Sequence, residues 1–400
     1  GGREQPVEDI ESPLVIERVE NLARVEVVPP EGDGDPGKSE LVVYEKSGDT
    51  WRMTRPVDSA LNDNFAEKLG KAFSKDIETE DFELSTDKKA EYKLTEKTAV
   101  RVALYSEGQE TPSTEVLVGK EITVPETKVK RTYVQMVGEK GMYRAQAALG
   151  KLFRKPLSEV RSKQILDLNK GSVTGVEISH ADGAEVVRLE SDGKTWSMTK
   201  PKVDWSLESS RAKGLVRTLA SLRATGFADD KEPTEIGLEP PQTTVTVEAG
   251  DANPELLVSR TKEGDKATTF VKLADKPHIF EVSSATSDKL MANASYFRTR
   301  TPQKIDRKAI TKVQFPGEDR VLLEKKDDAW TMVRPESEKF NASRARSLVS
   351  RITSLRAKSY PETTPDKAGL TAGAAVVTIS TGATTYRLQL GGETEDGKQR

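Results

Sequence analysis

Apolar residues two positions apart recur along the chain as Val42/Tyr44, Val187/Leu189 and Val321/Leu323, the spacing of a strand that buries one face. Each pair is followed at a fixed distance by a glutamate, Glu45, Glu190 and Glu324, and then by residues that tolerate a tight reversal: Ser47-Gly48-Asp49, Asp192-Gly193 and Asp327-Asp328. The next stretch is therefore predicted to fold back as an antiparallel strand. Beyond it the apolar period changes from two to three and four. Ala212, Leu215, Leu219 and Leu222, and likewise Ala345, Leu348, Ile352 and Leu355, mark one face of an amphipathic helix, of which Ala66, Leu69 and Phe73 are the earlier counterpart.

These patterns are copies of one another. The signature is Trp-x-Met-x-Arg/Lys-Pro, present as Trp51, Met53 and Pro56, as Trp196, Met198 and Pro201, and as Trp330, Met332 and Pro335. A proline, lacking an N–H, ends each of these strands. After the helices come Ile236-Gly237-Leu238 and Ala368-Gly369-Leu370, with Tyr92-Lys93-Leu94 in the same place earlier, and then strands at Val100/Val102/Leu104, Val245/Val247 and Val377/Ile379. Further strands follow at Val116-Leu117-Val118, Leu256-Leu257-Val258 and Arg387-Leu388-Gln389-Leu390. The first two copies go on to Tyr133-Val134 and Phe270-Val271, a hairpin to Tyr143 and Phe280, and a second helix near Leu152-Phe153 and Leu290-Met291.

The fold class expected is α+β, as tandem repeats of a unit with mainly antiparallel strands and one or two packed helices. The unit is about 140 residues long. An N-terminal linker covers 1–18, unit one 19–167, unit two 168–305 and an incomplete unit three 306–400, with short linkers near Leu168-Asn169-Lys170 and Asp306-Arg307-Lys308. The third copy stops before the equivalent of the Tyr-Val strand, so the parent chain is expected to continue for about 45 residues. The start, Gly1-Gly2-Arg3-Glu4-Gln5-Pro6, has neither Met nor an apolar signal core and reads as an excerpt.

Composition narrows the chemistry. With 35% apolar and 32% charged residues in 400, the chain can bury cores, and a net charge of -3 argues against a nucleic-acid partner. It contains no cysteine, which excludes disulfides, thiolate metal sites and a Cys nucleophile. No run approaches the roughly 18 apolar residues of a membrane span.

Candidate chemistry is sparse. Gly32-Asp33-Gly34-Asp35-Pro36-Gly37-Lys38-Ser39 matches the phosphate-loop pattern, but it leads into the strand-like Leu41-Val42-Val43-Tyr44 rather than a helix, and its aspartates would repel phosphate. It reads as an enlarged hairpin loop. The two histidines, His180 and His278, sit in predicted turns with no spaced ligand partner. Glu78, Glu80, Asp81 and Glu83 offer carboxylates without singling out a pair. The basic clusters Lys128/Lys130/Arg131 and Arg298/Arg300/Lys304 read as solvated surface, with an anionic lipid or protein partner as the alternative. The repeated Trp and Met read as packing residues, with a ligand platform as the alternative. No catalytic, cofactor or metal residue is assigned.

The order of signature, helix, Gly-Leu turn and following strand resembles the bacterial family of domain of unknown function 4340, from about Leu22 to the end. The resemblance implies one N-terminal membrane helix, repeats outside the cytoplasmic membrane, and association with a gliding-motility-type ABC transport system; it implies no enzymatic activity and no cofactor. The function expected is a non-catalytic, membrane-tethered extracytoplasmic (periplasmic) accessory or scaffold of an ABC-type transport or surface apparatus. The competing expectations are an extracytoplasmic glycan- or peptide-binding module and a hydrolase built on an acid pair.

Overall fold

The computed structural model describes residues 14–31, 40–181, 183, 185–337, 339–360 and 363–393. The phosphate-loop match at 32–39 and both chain ends lie outside the described residues, but the strand after that match, Val42–Ser47, is described. The molecule is sheet-rich with few helices, and the chain divides into two compact units. One comprises Gly1–Ile165 with Arg223–Phe227, the other Leu166–Leu222 with Ala228–Arg400.

The first unit is built on a sheet with ten strands. Its order is Val15–Ile16, Ile77–Glu83, Met142–Ala145, Lys130–Met136, Thr114–Thr123, Val100–Ser106, Leu22–Val28, Val42–Ser47, Thr50–Arg55 and Ser59–Ala60. Every pairing in it is antiparallel. Val15 and Ile16, assigned to the linker by the sequence pattern, instead form an edge strand against Ile77 and Glu78. Ile16 is apolar enough to be drawn into the core, where it is 2% exposed.

The second unit holds two sheets. One runs from Trp196–Lys200 through Val186–Ser191, Val173–His180, Thr243–Ala249, Glu255–Glu263 and Lys266–Leu273 to Ile279–Val282. The other has five strands, Ala329–Arg334, Leu322–Lys326, Ile310–Gln314, Ala375–Thr381 and Thr385–Leu390. The expected linkers are single 3-10 turns, Lys170–Ser172 and Arg307–Ala309, capped by the side chains of Asn169 and Asp306.

In all three sheets the signature hairpin forms as the sequence pattern requires. Tyr44 faces Met53, Leu189 faces Met198 and Leu323 faces Met332. The reversals place Gly48, Gly193, Asp327 and Asp328 at positive φ. The peptide bond before each signature proline is cis. A helix follows in each case: Asp63–Lys71, Ser209–Ala220 and Ala342–Thr353. The first and third start on Asn62 and Asn341, whose side chains accept from the free N–H groups of the opening turn. The expected second helices are short pieces, Gly150–Phe153 and Leu157–Val160 in the first unit, Ser284–Leu290 and the 3-10 turn Ala294–Phe297 in the second.

The buried face of the last long helix corrects the sequence expectation. In Ser209–Ala220 the predicted stripe is buried, with Ala212, Leu215 and Leu219 at 0% exposure and Leu222 just beyond at 1%. In Ala342–Thr353 the buried residues are Ala345 and Val349, whereas Leu348 is 43% and Leu355 44% exposed. The physical reason is the layer around each helix. Ser209–Ala220 touches its sheet and also Ser284–Leu290 and Ala294–Phe297, so a wide apolar face finds cover. Ala342–Thr353 packs mainly on its sheet, at Ala329–Arg334 above all, and a helix covered chiefly from the sheet side buries a narrower stripe.

Truncation distinguishes the two situations. Leu215→Ala is expected to cost about 2–5 kcal/mol, the range for emptying a packed core site, and Leu348→Ala about 0.5 kcal/mol or less as a surface change. Denaturant unfolding of the two variants checks this.

Candidate functional site

The residues singled out by sequence occupy different places. Trp51 and Trp330 are buried, Met53 is fully buried, and Trp196, Met198 and Met332 are half-buried. Pro56 and Pro335 are exposed and Pro201 is partly covered. The His180 ring lies between Thr243 Oγ1 at 3.1 Å and the Ala292 carbonyl at 3.2 Å, tying a strand to the loop after Ser284–Leu290. His278 Nδ1 lies 3.7 Å from Asp229 Oδ1. Among the described residues no group of three or more His, Asp or Glu side chains could hold a metal ion, and no helix is long and apolar enough to cross a membrane.

The acidic stretch is paired with arginines. Glu80 Oε1 accepts from Arg131 Nε at 2.8 Å and Arg144 Nε at 3.1 Å, and Arg144 also reaches Asp81. The hydrogen bond from Arg131, with the charge of Arg144 beside it, holds the Glu80 carboxyl below the usual carboxylate range. A general acid needs the opposite shift. Since the folded value lies below the unfolded one of about 4.3, the pairing stabilises the protein above that pH and is lost as pH falls through the folded value. Glu80→Gln is therefore expected to be destabilised at pH 7, and its deficit in thermal unfolding should shrink and vanish on acidification below about pH 4.

The basic clusters divide in the same way. Arg298 stacks its guanidinium 3.7 Å over the Tyr360 ring, and the Arg300 carbonyl accepts from Ala357 N at 2.6 Å. The first unit repeats the arrangement, with Arg161 3.9 Å over Phe227 and the Lys163 carbonyl accepting from Ala224 N at 2.7 Å. These arginines hold segments of their own unit in place.

The feature best suited to take a ligand is one the sequence reading did not single out. Within the first unit a cleft of about 640 Å³ is lined by Lys68, Lys93, Lys120, Lys151, Arg154 and Lys155, with Glu121 and Glu159 as its acids. Five segments supply it: the helix Asp63–Lys71, the turn before Leu94, the strand Thr114–Thr123, the helix Gly150–Phe153 and the chain that follows. Gly150 admits the close approach between the strand Thr114–Thr123 and the helix Gly150–Phe153, since a Cβ there would sit 2.7 Å from the Glu121 Cβ. Both acids are occupied. Glu121 Oε2 accepts from Lys151 N at 2.8 Å, and Glu159 lies 3.9 Å from Lys155 Nζ. Lys68, Lys93, Lys120 and Lys151 are exposed and form no ion pair among the described residues.

Arg154 anchors the cleft. Its guanidinium donates to the Thr98 carbonyl at 2.8 Å, to Val118 at 3.0 Å and to Gly119 at 3.4 Å, with no carboxylate partner among the described residues. Burial lowers its pKa from the ordinary guanidinium value. Lys93 is also set by the backbone, at φ 56° where the equivalent turns carry Gly237 at 72° and Gly369 at 77°. A side chain in the left-handed region costs roughly 1–2 kcal/mol. Accordingly Lys93→Gly should not lower the melting temperature, whereas Gly237→Ala should lower stability by about 1 kcal/mol or more.

The second unit has a cleft of about 400 Å³ in the corresponding place, lined by Arg211, Arg260, Asp288, Tyr296 and Arg300 among others. The register shows the correspondence: Val118 faces Val100 and Val258 faces Thr243, so Lys120 and Arg260 each lie two residues beyond an equivalent pair. There two of the three arginines have partners. Arg260 lies 3.7 Å from Asp288, while Arg211 stacks 4.5 Å over Tyr296 and donates to its carbonyl.

Residues 51–241 and 234–373 match the family model described as Domain of unknown function (DUF4340). No curated protein and no solved structure matches the chain.

Proposed function

The chain belongs to the DUF4340 family, and from that premise we propose that it is a non-catalytic scaffold or accessory protein of an ABC-type transport or surface apparatus, tethered to the membrane with its repeats on the extracytoplasmic, periplasmic side. Its repeating unit is mainly antiparallel strands with one or two packed helices, over 19–167, 168–305 and 306–400. The observation that carries the reading is the placement of the signature: Trp51, Met53 and Trp330 are core residues, and Trp196 and Met198 lie in the same hairpin of their own sheet. What recurs from copy to copy is the place of the signature in its hairpin, with Trp196, Met198 and Met332 half-buried where Trp51, Met53 and Trp330 are in the core. A glycan- or peptide-binding platform made from the tryptophans would need their rings open to solvent, and the burial of Trp51 and Trp330 argues against that version.

Cross-linking in native membranes, followed by affinity purification of the full-length protein and mass spectrometry, tests the proposal. Transporter subunits are expected among the cross-linked partners, at sites that map onto the repeats. Recovery of cell-wall or surface glycan with no transporter subunit would overturn it and favour a binding module.

A further inference from the structure

The contrast between the two clefts points further. We infer that the cleft of the first unit is a binding site for a ligand carrying several phosphate groups, with Lys93, Lys120 and Lys151 as its principal contacts. The inference rests on the geometry of that cleft and does not depend on the transport association.

Three observations lead to it. The cleft gathers six cationic side chains in a chain whose net charge is -3, so the positive field there is local and opposed to that of the molecule as a whole. Glu121 accepts from Lys151 N and Glu159 lies beside Lys155, while the ammonium groups of Lys68, Lys93, Lys120 and Lys151 form no ion pair among the described residues, so the six cations outnumber the two acids. In the second unit's cleft, built on equivalent elements, Asp288 answers Arg260 and Tyr296 answers Arg211. The first cleft keeps an excess of four positive charges, from six cations and two acids, and the second an excess of two, from three arginines and one aspartate.

The chemistry of the cations selects the ligand. An ammonium is a compact point charge that suits the dense charge of phosphate, whereas planar two-point recognition of a carboxylate favours a free guanidinium fork. The sole guanidinium in the first cleft, Arg154, is directed into the carbonyls of Thr98, Val118 and Gly119, which leaves the lysines to meet the ligand. A volume of about 640 Å³ falls within the range of ligand pockets and exceeds what one phosphate fills. Lys93 adds an independent sign: its turn holds a left-handed backbone for which the corresponding turns use Gly237 and Gly369, yet here a lysine stands at the mouth of the cleft.

The test is calorimetric titration of the full chain with inorganic tripolyphosphate at about 150 mM salt, where screening falls to about 8 Å and diffuse surface attraction is small. Saturable binding is expected. The triple variant Lys93→Ala/Lys120→Ala/Lys151→Ala, altered only at exposed side chains, should bind roughly a hundredfold more weakly, at about fivefold per lysine. Arg260→Ala in the second cleft should bind as the parent does. The single variant Lys120→Glu gives the same readout if the triple variant folds poorly. Sedimentation with vesicles of anionic phospholipid identifies the source of the phosphate: vesicle binding that tripolyphosphate displaces supports a lipid headgroup, and tripolyphosphate binding without vesicle binding supports a soluble phosphorylated ligand. No saturable binding, or equal loss of binding in Arg260→Ala and the triple variant, would overturn the inference.

Discussion

The signature hairpin and the helix that follows it close one face of each sheet, and the remaining elements depend on that closure. A strand pair alone exposes an apolar face that water penalises by about 25 cal/mol per Å², so the hairpin must be covered. The nearest cover is the chain leaving it. In the first unit the helix comes so close that a Cβ on Gly70 would lie 3.2 Å from the Trp51 indole nitrogen, and Phe65 meets Tyr44 at a ring separation of 5.2 Å. The Trp-Met strand and its helix touch in the same way in the other two sheets. Once that layer exists, Val25, Val102 and Leu104 in one sheet, and Val176, Val245 and Val247 in another, can be fully buried beneath it.

Charge is distributed to suit this layered core. On the solvent side of the sheets, arginines pair with glutamates along and across strands: Arg188 reaches Glu190 of its own strand at 3.1 Å and Glu248, two strands away, at 2.8 Å, and Arg101 pairs with Glu115 on the neighbouring strand at 2.5 Å. A pair as exposed as Arg101 and Glu115 contributes little stability by itself. Such pairs also leave little unbalanced charge on the sheets, which is why the lysine-lined cleft of the first unit differs from its surroundings. The family assignment and the cleft are separate kinds of information: the signature describes what holds a unit together, and the cleft describes what one particular copy can bind.

Copies of one architecture diverge where packing demands are weakest. The turn before the inner strands keeps a left-handed residue in each sheet, because the chain must reverse there, but its side chain faces outward and is free to change from Gly237 or Gly369 to Lys93. Asn62 and Asn341 cap their helices, while Glu208 at the same place makes no cap and accepts from Ser210 and Thr299. The core positions tolerate no such change, since a charge placed at Leu215 or Val102 would be buried without a partner.

The sequence alone determined the repeat, the antiparallel hairpins, the helices and the strand faces, because spacing two or three to four residues apart is set by local backbone geometry. Tyr92-Lys93-Leu94 could be matched to the Gly-Leu turns by position, and the positive φ of Lys93 agrees with that match. The tertiary structure decided what depends on neighbours distant in the chain. It drew Val15 and Ile16 into the sheet, exposed Leu348 and Leu355 while burying Val349, and placed His180 between Thr243 and Ala292. It also assembled the cleft, of which the sequence shows only Lys151, Arg154 and Lys155 side by side. Lys68, Lys93 and Lys120 lie far from them along the chain, and only the packing of helix, turn and strand brings their charges to one place.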